Sequence, residues 1–121
     1  LKNPDKLENA EAKRDGATLQ PNSGRGKFAK GDAILAGEFM VDYKHFTKSF
    51  NVSSDNLAKL NTDARTAGGY EGIFKLVLDN STVRYWVVPE YVIPDYIKYR
   101  DIAARLSEKY PDIYDEVSND E

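Results

Sequence analysis

The chain has 121 residues, 40% of them hydrophobic and 31% charged, with no cysteine and one histidine. That is enough for one domain with a single core, and it excludes a disulfide framework, a thiolate zinc site and any multi-histidine metal site, leaving carboxylate, lysine, hydroxyl and backbone groups for chemistry. The net charge of −3 is uneven: residues 111–121 hold five acids and no base, and without them 20 acids fall to 15 against 17 basic residues, so a local basic surface is compatible with an acidic end.

Asn3-Pro4-Asp5 reads as a helix start: Asn3 can cap, Pro4 suits the first helical position, and Asp5 favours the positive end of the dipole. The helix should run to about Asp15 and stop at Gly16. Its apolar stripe is thin (Leu7, Ala10), and Glu8 and Glu11 lie one turn apart. Residues 17–20 suit a short strand, and Pro21 to Lys27 a polar, glycine-rich loop. Two strands follow, Asp32 to Leu35 and Glu38 to Lys44, joined through Ala36-Gly37.

Ser53 or Ser54 caps the next helix, where Leu57, Leu60, Ala64 and Ala67 repeat at helical spacing until Gly68-Gly69. Ile73 to Leu78 is a strand, turned at Asp79-Asn80-Ser81, and Val83 to Val88 is another, stopped by Pro89. Pro94-Asp95 opens a last helix with the stripe Tyr96, Tyr99, Ala103, Leu106 and Tyr110, closed by Pro111. The order predicts one α/β domain over residues 1–110, with 111–121 as an acidic tail that suits contact with a protein partner. The tyrosine-bearing stripe suits a homodimer seam. No window approaches the roughly 18 apolar residues of a membrane span, and no stretch has a signal-peptide pattern. A cytoplasmic location without membrane contact is therefore expected.

Strand side chains alternate between faces, so Asp42 and Lys44 share one face with Met40, while Phe39, Val41 and Tyr43 share the other. A hairpin turning at Ala36-Gly37 brings Asp32 to the same end as Asp42. Two carboxylates at one strand end can hold a hard divalent cation, with the Tyr43 backbone carbonyl as a further ligand. Lys44 beside them can orient a water, take a proton or stabilise charge developing on a phosphate. The same spacing also suits an edge-strand salt bridge. Arg25, Lys27, Lys30, His45 and Lys48 lie close by in the chain and suit phosphate contacts.

The order helix, three strands, helix, strand, with an acid at the hairpin start and Asp42-x-Lys44 on the next strand, resembles the PD-(D/E)xK nuclease superfamily over about residues 4–78. Gly31 stands where that pattern has proline before the first acid. The chain is most similar to small phage and archaeal Holliday-junction-resolvase-like endonucleases, which carry a helix glutamate about eight residues before a glycine, as Glu8 stands before Gly16. They also carry a Ser-Gly loop, which Ser23-Gly24 resembles, and a Lys-Gly-Asp run, as at Lys30-Gly31-Asp32.

That resemblance implies a restriction-endonuclease-like core with a mixed central sheet, plus an extra strand and C-terminal helix. It implies Mg²⁺ or Mn²⁺ held by Glu8 (or Glu11 one turn on), Asp32 and Asp42. Lys44 would be catalytic, and Ser23 would contact the scissile phosphate. The implied activity is hydrolysis of DNA to 5′-phosphate and 3′-hydroxyl ends, with branched DNA the leading substrate. A phage-encoded protein would act in the host cytoplasm. The alternatives are a nicking or site-specific endonuclease of a phage or mobile element, and a DNA-binding module that has lost catalysis.

Overall fold

The computed structural model describes residues 4–19 and 32–112. In chain order the elements are α1 (Pro4–Arg14), β1 (Thr18–Leu19), β2 (Ala33–Leu35), β3 (Phe39–Phe46), α2 (Ser54–Gly68), β4 (Glu71–Leu78), β5 (Arg84–Val87) and α3 (Val92–Lys109). The order and type of every element follow the sequence expectation. β4 starts two residues early, because Glu71 and Gly72 pair with Phe39 and Met40. α3 starts at Val92 rather than Pro94. A proline within the first turn lacks only an N–H that would be unpaired there in any case.

The strands form one five-stranded mixed sheet in sequence order, β1-β2-β3-β4-β5. Only β3 and β4 run parallel; α2 connects them, and the other neighbours are antiparallel. The β2–β3 connection turns through Ala36 and Gly37, both at positive φ (55° and 66°). α2 is held at both ends. Ser53 and Asn56 form a reciprocal capping box, and Gly69, at φ 77°, closes the other end with its N–H directed to the last carbonyls.

Period-two alternation along β3 and β4 sends apolar side chains to both faces, and each face has its own helix. Met40, Ile34 and Phe74 pack with Leu60, Ala64 and Ala67 of α2. Val41, Tyr43, Ile73 and Ala33 pack with Ala12 of α1. α2 lies tight on the sheet: a Cβ at Gly72 would meet Leu60 Cγ at 2.7 Å and the Leu60 carbonyl oxygen at 2.9 Å.

The chain divides into two compact units, Leu1–Val88 and Pro89–Glu121. Within the second unit, α3 buries none of its side chains. Among the described residues no helix is long and apolar enough to cross a membrane.

Candidate functional site

β3 carries the site. Its register with β2 pairs Ala33 with Val41 and Ile34 with Met40. Extended by one residue, it sets Asp32 opposite Asp42 on the face that bears α2. The Lys44 ammonium lies 3.4 Å from Asp42 Oδ1, and the two side chains are 41% and 28% exposed. Asp32 is buried, at 6% exposure. Burial pushes the Asp42 carboxyl above its usual range, and the opposing Lys44 charge and hydrogen bond do not cancel that rise.

A cleft of about 370 Å³ opens on this face, lined by Glu8, Asp32, Asp42 and Lys44 together with residues of α2. The three predicted acids and the predicted lysine, drawn from α1, the segment before β2, and β3, therefore line one cleft. Met40, Phe50 and Leu60 give the cleft an apolar lining; Asn56, Lys59 and Asp63 add polar groups from α2. Lys59 donates to Asp63 at 3.1 Å. Its pKa is raised by that hydrogen bond and charge, and further by Asp42 and Asp32. Sequence reasoning missed this α2 contribution. Its one trace is the spacing of 56, 59 and 63 beside the apolar position 60, which puts a polar stripe along the edge of the buried face.

Glu8, not Glu11, lines the cleft. Glu11 is buried on the α1 side in an ion network. It accepts from Lys75 Nζ at 2.8 Å and from Arg84 Nη2 at 2.7 Å. Lys75 also reaches both Asp15 oxygens, at 2.6 and 2.8 Å, and Tyr43 donates its hydroxyl to Asp15 at 3.1 Å. Burial alone would raise the Glu11 pKa, but Arg84 and Lys75 outweigh it and hold the group at about 2. Burial first, and then the Asp15 charge, push the Tyr43 phenol well above its usual range. Trp86 lies over Lys75, with the ammonium 5.0 Å from its ring centroid, so this aromatic serves the ion network.

The remaining predicted residues separate. Tyr43, proposed through its backbone carbonyl, sends its buried side chain to the α1 face and is not among the cleft-lining residues; the side chain's direction does not bear on the carbonyl. His45 lies on that face too, 3.4 Å from Asp79 through Nδ1 and 13% exposed, lining a second cavity of about 250 Å³. Lys48 is exposed in the bend after β3 and does not line the cleft. Ser23, Arg25, Lys27 and Lys30 lie outside the described residues, as does the tail from residue 113.

Among the described residues no three His, Asp or Glu side chains are grouped so as to hold a metal ion. The acids of the cleft nevertheless fit a hard divalent cation by donor type. They are carboxylate oxygens, two of them on paired segments, in a place where burial leaves Asp42 short of compensating charge. Holding an ion requires Glu8, Asp32 and Asp42 to turn toward a common centre. Comparison with family models, curated proteins and solved structures found no match.

Proposed function

We propose that the chain is a metal-dependent DNA endonuclease of the PD-(D/E)xK type, with a restriction-endonuclease-like core and branched DNA such as a Holliday junction as its leading substrate. One observation carries this reading: Glu8, Asp32, Asp42 and Lys44 line a single cleft on the α2 face of the sheet. Glu8, Asp32 and Asp42 would hold Mg²⁺ or Mn²⁺. The ion, when bound, lowers the pKa of a water and withdraws charge from the phosphate. Lys44 orients the attacking water and stabilises charge on the phosphoryl oxygens. Lys59 offers the phosphate a second cation from α2, and the apolar lining of Met40, Phe50 and Leu60 limits competing water.

The test is cleavage of a four-way junction, a nicked duplex and a supercoiled plasmid in Mg²⁺ by wild type and Asp42→Asn. The expected result is junction cleavage by wild type and a loss of roughly 10²- to 10³-fold in the variant, the scale on which removing one transition-state contact acts. Equal cutting by the variant would remove the proposal. Nicking of plasmid at one sequence, with junctions left intact, would keep the chemistry and change the substrate.

A second reading, a cleft that binds DNA without cutting it, is favoured by the Asp42–Lys44 ion pair and by the absence of a three-acid group among the described residues. It predicts salt-dependent DNA binding with no product in either Mg²⁺ or Mn²⁺.

A further inference from the structure

Along α3, Val92, Tyr96, Tyr99, Ala103, Leu106 and the C-capping Tyr110 follow at alternating intervals of four and three residues. That alternation is the seam of a helix pair, since it keeps one stripe facing a partner helix along its whole length. Tyr96 is 58% exposed, Tyr99 63%, Leu106 50% and Tyr110 46%, while Val92 and Ala103 are half-buried. Lys98, Arg100 and Lys109 lie over the rings of Tyr99, Tyr96 and Tyr110 at 5.8, 5.7 and 5.5 Å.

Side-chain volumes distinguish the two ways of pairing this stripe with itself. In a parallel pair, like meets like: tyrosine crowds tyrosine at 96 and 99, and alanine faces alanine at 103 across a gap. In an antiparallel pair one register fits all six positions. Val92 faces the partner's Tyr110, Tyr96 faces the partner's Leu106, and Tyr99 faces the partner's Ala103. Every layer then joins a large side chain to a smaller one, the arrangement that fills a core without voids.

The flanking charges agree with this register. Asp95, in the first turn, comes beside the partner's Lys109, in the last, and symmetry makes the contact twice. Ile102 meets the partner's Ile102 at the two-fold axis. Arg100 meets the partner's Arg100 on the other flank, one like-charge contact against two opposite-charge contacts.

We infer that α3 is a self-pairing helix that joins two copies of this chain, antiparallel, through the layers 92/110, 96/106 and 99/103. The inference stands on α3 alone and is independent of the nuclease reading. If both hold, the dimer supplies two cutting sites.

The test is sedimentation equilibrium of the full chain from roughly 1 to roughly 200 μM, because self-association follows mass action. Wild type is expected to rise from 13.6 kDa toward twice that mass. Asp95→Lys and Lys109→Asp should each self-associate about 10-fold more weakly, because two attractive contacts become repulsive. Mixed together, the two variants should associate as tightly as wild type does with itself. In the mixed pair the introduced lysine meets the introduced aspartate, and the remaining Asp95 meets the remaining Lys109. Any cost to helix stability is the same in the pure and mixed samples. Arg100→Gln should tighten the dimer. A one-chain mass at every wild-type concentration would overturn the inference. So would Lys109→Asp self-associating as tightly as wild type, the result expected of a parallel pair, in which Asp95 meets Arg100 instead.

Discussion

Lys44 and Lys75 each stand beside acids, and their surroundings assign them opposite duties. Lys75 is 4% exposed and is saturated by Glu11 and Asp15 under Trp86. Lys44 is 41% exposed and pairs with Asp42 at 3.4 Å in an open cleft. A buried cation among acids is structural, because removing it leaves those charges uncompensated in a poor solvent for them. Lys75→Met is therefore expected to lower stability by about 3–5 kcal/mol in urea unfolding, with the proposed cleavage unchanged per folded molecule. Lys44→Met should leave stability nearly unchanged.

Glu11 gives the pH counterpart. Its folded pKa of about 2 lies below the ordinary 4.5, so the unfolded chain takes up the proton first. The stabilisation is complete above about pH 4.5 and is lost as pH falls toward 2. The shift corresponds to roughly 3 kcal/mol, and in Glu11→Gln that part of the acid limb should be flat. Periodicity could not decide between Glu8 and Glu11, which share one side of α1. The choice rests on Lys75 and Arg84, more than sixty residues further along the chain, and only the folded sheet brings them to Glu11.

At the scale of the element, β3 was legible because alternation is a local property. Once Val41 and Tyr43 are assigned inward, Asp42 and Lys44 must share the other face. The same rule places His45 with Tyr43, away from the cleft, and a proposed phosphate contact for it had to ignore that alternation. The α2 wall was not legible, because the crossover from β3 to β4 decides which turn of α2 overlies Met40 and Asp42. Gly72 marks how closely that turn sits. Gly72→Ala must displace the Leu60 backbone as well as its side chain, and a loss of about 1–3 kcal/mol is expected from thermal or urea unfolding. An unchanged midpoint would contradict the close approach of Leu60 to Gly72.

At the scale of the whole chain, the first unit places two kinds of charge on the two faces of one sheet. The α1 face holds acids neutralised by Lys75 and Arg84. The α2 face holds Glu8, Asp32, Asp42 and Asp63 around Lys44 and Lys59 in a cleft open to ligand. The net charge of −3 hides this division. DNA phosphate would be repelled by such a cleft unless a cation enters with it, so cation binding is the decisive property of the proposed site. The direct measurement is calorimetric titration of Mn²⁺ into wild type and into a variant carrying Asp32→Asn and Asp42→Asn, with unfolding midpoints checked in parallel. The proposed cation site requires saturable heat for wild type and none for the folded variant. Saturation in both, or in neither, would contradict it.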